Sequence, residues 1–110
     1  MSMQEVDGAA LGDVLSQESG GVLVDFWSPW CAPCRTLKPH LKRMAEERGG
    51  SWRFVAINAE ENPEAVENYS VRGLPTVLLF KGGEELCRFS GSAMPSAIDE
   101  KLDEFAHKAG

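Results

Sequence analysis

The pair of cysteines in Cys31-Ala32-Pro33-Cys34 is the part of this sequence most able to carry chemistry. Two thiols separated by two residues are typical of a redox site or of half of a zinc site. The pair falls where a predicted strand ends and a predicted helix begins, so Cys31 lies near amide groups that lack intrahelical partners. This position favours the thiolate form of Cys31, which attacks disulfides, and places Cys34 one turn inward to close the ring.

A zinc site would need further ligands, and the sequence offers no second pair. His40 and His107 fall on separate predicted helices, and Cys87 stands alone. No second C-x-x-C and no H-x-x-x-H is present. The spacing therefore favours redox chemistry at the cysteines, with no metal and no bound cofactor.

A carboxylate interrupts the apolar run Val22–Trp27, which is typical of a central strand covered on both faces. Burial of Asp25 in such a strand disfavours its ionised form and raises its pKa, so that it can accept a proton near neutral pH. The alternative is an aspartate at a sheet edge or strand end, satisfied by backbone donors. The sequence leaves both interpretations open.

Length, charge and cysteine content limit the class of protein. The 110 residues suit one domain over residues 1–110, and the formal net charge of -6 argues against nucleic acid as the main partner. The first residues lack the basic start and apolar stretch of a secretory signal, and no apolar run is long enough to span a bilayer. With only three cysteines, we expect a cytoplasmic protein in a reducing compartment, without membrane attachment.

Hydrophobic periodicity and turn residues predict nine elements in the order β-α-β-α-β-α-β-β-α. The expected strands are a weak one near Gln4–Val6, then Val22–Trp27, Trp52–Ile57, Thr76–Phe80 and Glu85–Phe89. The expected helices lie at about 9–18, from the cysteine pair to Gly49 with a bend at Pro39, from an Asn62 N-cap through Tyr69, and from about Pro95 onward. The fold class is therefore α/β, a mixed five-stranded sheet flanked by four helices in three layers. Gly82-Gly83 indicates a hairpin between the last two strands.

The segments around the cysteines resemble those of the thioredoxin family. The similarity rests on Val24-Asp25-Phe26 followed by Trp27-Ser28-Pro29-Trp30-Cys31-Ala32-Pro33-Cys34, and on Arg72-Gly73-Leu74-Pro75-Thr76 downstream. It extends over nearly the whole chain through Asn62-Pro63, the turn from Phe80 to Glu84, and Gly91 before the last helix.

The resemblance implies a thioredoxin fold and a dithiol–disulfide oxidoreductase that reduces protein disulfides. Cys31 would then be the attacking nucleophile, Cys34 the resolving thiol, and Asp25 a group beneath the disulfide that assists deprotonation of Cys34 through water. Trp30 would pack beside the disulfide, and Pro75 would follow a cis peptide bond that faces the cysteines.

The resemblance also implies a shallow surface for protein substrates around the cysteines. Its expected residues are Trp30, Pro33, Gly73, Leu74, Pro75 and the segment Ser90-Gly91-Ser92. Substrate backbone would pair with Leu74 like an added strand. The partners would be disulfide-containing proteins and a thioredoxin-reductase-type enzyme, and the chain would act as a monomer. The alternatives are a thiol oxidant or isomerase, and a non-catalytic binding module of the same fold.

Three positions depart from the family pattern. Ala32 stands between the cysteines where glycine is usual, and Ala56 stands where many members carry a lysine beside the buried aspartate. We therefore expect Asp25 to lack its usual cation, unless Arg53 or another cation replaces it. Cys87 is additional, and we interpret it as a small half-buried strand residue rather than a third redox centre.

Lys38 belongs to a modest basic group, with Arg35, Lys42 and Arg43, that we expect on the solvated side of its helix.

Overall fold

A computed structural model describes residues 2–91 and 94–106 of the chain. The strands are β1 (Gln4–Glu5), β2 (Gly21–Trp27), β3 (Trp52–Asn58), β4 (Thr76–Lys81) and β5 (Glu84–Ser90). The helices are α1 (Gly8–Gln17), α2 (Ala32–Arg48), α3 (Pro63–Asn68) and α4 (Pro95–Ala106). The predicted order of elements is confirmed, as is the hairpin at Gly82-Gly83.

The strands form one mixed sheet in the order β1-β3-β2-β4-β5. β3 runs parallel to both β1 and β2, whereas β4 is antiparallel to both β2 and β5. β2 is therefore the middle strand, with a hydrogen-bonded neighbour on each side. This placement explains why Val22–Trp27 is nearly all apolar, since both faces of a middle strand are covered.

Two apolar layers cover the two faces of this sheet. Residues Val22, Val24 and Phe26 of β2 pack in one layer with Leu11, Val14 and Leu15 of α1 and Ala65 of α3. Leu23 of β2 packs in the other layer with Leu37, Leu41, Met44 and Ala45 of α2 and with Ile98, Leu102 and Phe105 of α4. The three-layer arrangement predicted from the sequence is confirmed. Among the described residues, no helix combines the length and apolar character needed to cross a membrane.

Helix α2 carries both cysteines at its start and ends against α4. Pro39 lies inside α2 as expected; the bend that its ring imposes stays a prediction. At the other end, the Arg48 guanidinium contacts Asp99 of α4 at 3.1 Å and also pairs with Asp103. These ion pairs attach the C-terminal end of α2 to α4.

The side chain of Asn62 does not cap α3, contrary to the prediction. Asn62 occupies the N-cap position, but it makes no side-chain capping bond. Its Oδ1 instead accepts a hydrogen bond from the Gly8 backbone at 3.1 Å, and its Nδ2 donates to the Asn58 carbonyl at 2.9 Å. The amide therefore links the start of α1 to the end of β3, a tertiary use that local capping rules do not anticipate.

Gly21 at the start of β2 is required by its close approach to Trp52, its direct partner on β3. A Cβ at position 21 would lie 2.5 Å from the Trp52 ring. The ring has little room to move, because it is buried and its Nε1 donates to the Leu102 carbonyl of α4 at 3.1 Å.

We predict that Gly21→Ala lowers the free energy of unfolding by about 2 kcal/mol, the usual cost of overpacking a core. Urea denaturation would measure this loss. Gly20→Ala is the matched control, because its Cβ would meet only the Glu18 carboxylate at an ordinary 3.6 Å. Equal effects of the two substitutions would contradict the packing argument.

Candidate redox site

Cys31 and Cys34 are joined by a disulfide at the N-terminus of α2, with their Cα atoms 5.2 Å apart. Cys31 is the N-cap residue, and its Sγ accepts a hydrogen bond from the Cys34 backbone N–H at 3.2 Å. The sulfur thus occupies the position that a serine or aspartate oxygen takes at other helix starts. A donor aimed at this sulfur, together with the positive end of the helix dipole, stabilises negative charge on it after reduction.

The two cysteines differ in their exposure to solvent. Cys31 is half-buried, whereas Cys34 is only 2% exposed. Cys34 lies on the side of α2 that faces the sheet, on the same helix side as Leu37 and Leu41. Cys31 is therefore the more accessible of the two cysteines.

Ser28 holds the loop between β2 and the cysteines, and it was not among the predicted site residues. Its carbonyl accepts from the Cys31 N–H at 3.2 Å, and its Oγ accepts from the Trp30 N–H at 3.3 Å. Ser28 is buried. Serine hydroxyls often bond to a backbone N–H two residues later, and this spacing was the available signal.

Trp30 projects outward from this loop and is 80% exposed. So large an exposed apolar side chain, one residue before Cys31 in the sequence, is suited to contact with another protein rather than to shielding. Trp30 was predicted to pack beside the disulfide, and that position stays a prediction.

The downstream segment contains a cis peptide bond between Leu74 and Pro75, as the resemblance implied. The Pro75 carbonyl accepts from the Gly91 N–H at 2.9 Å, and Gly91 has the positive φ of 78° that favours glycine. Gly73 is exposed, Leu74 is half-buried and Pro75 is buried. Ser92, the other predicted residue of this region, lies outside the described residues.

The tertiary structure brings the two sequence motifs to one face. Pro33 from the cysteine segment and Pro75 from the downstream segment line the same shallow, largely apolar groove. The other lining residues are Thr36, Leu37, His40, Met94 and Pro95. Met94 and Pro95 were not predicted, because nothing local marks them as neighbours of the cysteines.

Asp25 is buried on the middle strand, 1% exposed, and neither of its carboxylate oxygens has a hydrogen-bond partner among the described residues. The alternative of an edge or strand-end aspartate satisfied by backbone donors is therefore wrong. Asp25 pairs with Val77 of β4 and lies two residues from Leu23, both of which pack in the α2 layer, so its side chain is on that face. Burial raises the pKa of Asp25 to about 7; Lys38 lowers this pKa, and Glu5 raises it.

The cation near Asp25 comes from α2 and not from the sheet. Ala56 is indeed the direct partner of Asp25 on β3, as the resemblance to the family implied. The Arg53 side chain, the suggested substitute, lies 3.4 Å from Gln4 and 3.9 Å from Glu18 instead. Lys38 supplies the positive charge.

Placing Lys38 on the solvated side of α2 was therefore wrong. Its side chain is only 25% exposed, and its Nζ lies 2.9 Å from the Glu5 carboxylate and 3.8 Å from the centre of the Trp27 ring. The signal was available, since position 38 follows Cys34 by four residues and precedes Leu41 by three. That spacing puts Lys38 on the sheet-facing stripe of the helix.

Cys87 is half-buried on β5 and packs against the α2 and α4 layer. Burial raises the pKa of its thiol, which favours the protonated form at neutral pH. Within residues 2–91 and 94–106, no cluster of three or more histidine, cysteine, aspartate or glutamate side chains is arranged to hold a metal.

Comparison with known proteins places this geometry in a family. The thioredoxin family model matches residues 2–104. A thioredoxin of Porphyra purpurea is 35% identical over 105 residues, which cover 96% of this chain and 98% of that protein. A chloroplastic M-type thioredoxin of Pisum sativum is 33% identical over 103 residues, covering 94% of this chain and 60% of that protein.

The fold agrees with the sequence matches. The solved structure of a variant thioredoxin from Halobacterium salinarum superposes with a TM-score of 0.87 at 30% identity, covering 98% of this chain and 95% of that one. The family model, the relatives, the fold and the disulfide at the start of α2 agree. The chain belongs to the thioredoxin family of protein dithiol–disulfide oxidoreductases.

Proposed function

We propose that this chain reduces disulfides in other proteins as a monomer in the cytoplasm, with Cys31 as the nucleophile and Cys34 as the resolving thiol. The observation that carries this assignment is the difference in access, since Cys31 is half-buried while Cys34 is 2% exposed. Only Cys31 can meet a sulfur on another protein. Cys34 can meet only a sulfur already attached to Cys31.

The first step forms a mixed disulfide. The Cys31 thiolate attacks one sulfur of the substrate disulfide, the substrate S–S bond breaks, and the other substrate sulfur leaves as a thiolate that takes a proton from water. The Cys34 N–H and the helix N-terminus favour the thiolate that makes this attack. Broad substrate choice is expected, because a thiolate requires only an accessible sulfur.

The second step releases the reduced substrate. Cys34 gives its proton to Asp25 through water and attacks the Cys31 sulfur; the bond between Cys31 and the substrate breaks, and the second substrate sulfur leaves as a thiolate that takes a proton from water. The substrate has then gained two electrons, and the Cys31–Cys34 pair has lost two. A reductase returns two electrons and two protons to the pair.

Asp25 suits the second step because its proton affinity matches neutral pH. A carboxylate with an ordinary pKa would be a weak base toward a thiol, whereas burial brings the pKa of Asp25 to about 7. Asp25 and Cys34 are both buried on the α2 side of the sheet. In the reduced protein the groups titrate as a cluster, so their apparent pKa values belong to the set.

Substrates are proposed to dock on the exposed face around Cys31. The proposed docking residues are Trp30 and Pro33 of the cysteine segment with Gly73, Leu74, Pro75 and Gly91 of the downstream segments. Two observations support this set: Pro33 and Pro75 line one groove, and the Gly91 N–H donates to the Pro75 carbonyl. The backbone of Leu74 would pair with an extended substrate segment, and its groups give affinity without strong side-chain selectivity. Few charged residues line the groove between Pro33 and Pro75, which also supports broad use.

The cytoplasmic assignment is supported by the composition. Three cysteines, one of them an unpaired and half-buried thiol, suit a reducing compartment better than a disulfide framework.

The direction of electron flow is tested by equilibrating the Cys31–Cys34 pair with glutathione and dithiothreitol buffers. A potential more reducing than ordinary protein disulfides supports a reductase, and a strongly oxidising one would make the chain an oxidant or isomerase.

We predict that Cys31→Ser abolishes reduction of protein disulfides, whereas Cys34→Ser retains the attack and accumulates mixed disulfides, because only resolution is lost. Non-reducing electrophoresis and mass spectrometry would detect the trapped adducts. Mild alkylation of the reduced wild-type protein at slightly acidic pH should label Cys31 first. Preferential labelling of Cys34 would show that the two roles are reversed.

We predict that Cys87→Ala keeps turnover within about threefold of wild type, because burial keeps this thiol protonated and β5 places it in the apolar layer. Disulfide reduction assays and a thiol count after oxidation would check this. Loss of turnover with an intact fold would make Cys87 a third participant in the redox cycle.

We predict that Asp25→Asn slows resolution at pH 7 by about tenfold or more, because Cys34 loses its proton acceptor. The same change should stabilise the protein at neutral pH. The pKa of Asp25 rises from about 4 to about 7 on folding, so the folded state binds the proton more tightly. Wild-type stability should therefore fall as pH rises between these values, by about 4 kcal/mol at most, and level off above them.

Urea unfolding of the oxidised wild type and Asp25→Asn at several pH values would measure this difference. The Asn variant should gain on the wild type between pH 4 and 7, since a neutral isostere replaces a buried charge. Parallel stability curves for the two proteins would show that Asp25 has an ordinary pKa, and would remove its proposed part in resolution.

A further inference from the structure

We propose that Lys38, held by Glu5 and the Trp27 ring, is a positioning residue that sets the proton affinity of Asp25, with Glu5 and Asp25 competing for the same ammonium group. The inference rests on the proposed role of Asp25 in resolution. According to this inference, Lys38 of α2 and Glu5 of the edge strand β1 together adjust the proton affinity of Asp25 on the middle strand.

The sheet places Glu5 and Asp25 in one row. Glu5 pairs with Ala56 across β1 and β3, and Asp25 pairs with the same Ala56 across β3 and β2. Directly paired residues point to the same side of a sheet, so both carboxylates are on the face that α2 covers. With strands about 4.8 Å apart, their Cα atoms are separated by about 10 Å. The Ala56 methyl between them leaves this row open to a side chain from α2.

Lys38 is the side chain that α2 presents to this row. Its Nζ lies 2.9 Å from Glu5 Oε1 and 3.8 Å from the centre of the Trp27 ring. The other carboxylate oxygen of Glu5 accepts from Trp27 Nε1 at 3.1 Å. Glu5 therefore uses one oxygen to hold the cation and the other to hold the ring beneath it. This arrangement keeps the ammonium at one end of the row, within the electrostatic reach of Asp25.

The charges that act on Asp25 are few. Among the described residues, Glu5 faces it from β1 and Lys38 from α2, and these are the charged groups that displace its pKa. The neighbours in its row on β3 and β4 are Ala56 and Val77, which do not titrate. Cys31 and Cys34 at the start of α2 are joined in the oxidised protein and do not titrate there either. The proton affinity of Asp25 in that state therefore depends on burial and on this one ion pair.

The pair acts as a balance because one flexible cation serves two carboxylates. When Asp25 is protonated, Lys38 has only Glu5 as an anionic partner in the row. When Asp25 has released its proton, both carboxylates attract the ammonium, and the four-carbon stem of lysine allows it to shift. Glu5 thus reduces the stabilisation that the Lys38 ammonium gives to the ionised carboxylate of Asp25. As a result, Asp25 stays basic enough to accept the proton of Cys34.

The test is a carboxyl-carbon NMR titration of Asp25 in the oxidised protein, assigned by the loss of its signal in Asp25→Asn. Lys38→Gln should raise the midpoint by about 0.5 to 1 pH unit, a three- to tenfold gain in proton affinity. Lys38→Arg should restore a midpoint near that of wild type. Glu5→Gln should lower the midpoint, because the competing charge is removed and Lys38 becomes available to Asp25.

Two exposed residues of α2 provide matched controls. Lys42→Gln removes the same charge one turn further along the helix, and Glu46→Gln removes a carboxylate; both should leave the midpoint unchanged. Equal shifts for Lys38→Gln and Lys42→Gln would overturn the proposal, and so would a higher midpoint in Glu5→Gln. Circular dichroism of each variant separates these shifts from a loss of structure.

A kinetic measurement separates this inference from the proposed function. The reduced variants are mixed with a chromogenic aromatic disulfide, and release of the second aromatic thiol reports resolution by Cys34. The pH profile of this step should move up in Lys38→Gln and down in Glu5→Gln, together with the NMR midpoint. If the midpoints move and the rate profiles do not, the ion pair still sets the proton affinity of Asp25, but Asp25 is not the acceptor in resolution.

Discussion

Asp25 is an ionisable group held on the middle strand of the sheet without a hydrogen-bond partner among the described residues. Ionising a carboxyl group there is costly, because the apolar layer cannot replace the water that the charge has lost. The pKa of about 7 follows from that cost. The apolar neighbours of Asp25 on the sheet, Leu23, Ala56 and Val77, therefore have a chemical consequence as well as a structural one.

The start of α2 gives the two cysteines of one motif different surroundings. Cys31 is the N-cap residue, where the Cys34 backbone N–H donates to its Sγ, and Cys34 is one turn later on the sheet-facing side. A helix rotates by about 100° per residue, so three residues bring the chain back to nearly the same side while it advances into the core. The same short segment thus supplies an accessible sulfur and a protected one.

The positive charge near Asp25 comes from helix α2 and not from the neighbouring strand β3. A lysine on β3 would reach Asp25 along the sheet, but Ala56 stands there. In this chain Lys38 of α2 supplies the positive charge. Its ammonium group pairs with Glu5, which also accepts a hydrogen bond from Trp27. The edge strand β1 has only two residues, yet it contributes the carboxylate that completes this arrangement.

Most of the fold follows from local patterns in the sequence. The apolar run of β2, the helical spacing of Leu37, Leu41 and Met44, and the paired glycines between β4 and β5 predict elements that the structure contains. Each of these signals reflects the period of its own element. The cysteine spacing at a strand-to-helix junction likewise indicates the chemistry without any tertiary information.

What the tertiary structure alone decided is which side chains meet. Asn62 bonds to Gly8 instead of capping its own helix, because a partner 54 positions away in sequence lies within reach of its amide. Pro33 and Pro75 share a groove with Met94, which carries no local mark of that neighbourhood. The spacing of Lys38 from Cys34 and Leu41 places it on the sheet-facing side of α2, which the sequence alone can show. Only the register of β1, β3 and β2 shows that Glu5 and Asp25 lie in one row on the sheet face that α2 covers. Periodicity determines the face on which a residue lies, whereas its partner on that face depends on how strands and helices pack across long separations in the chain.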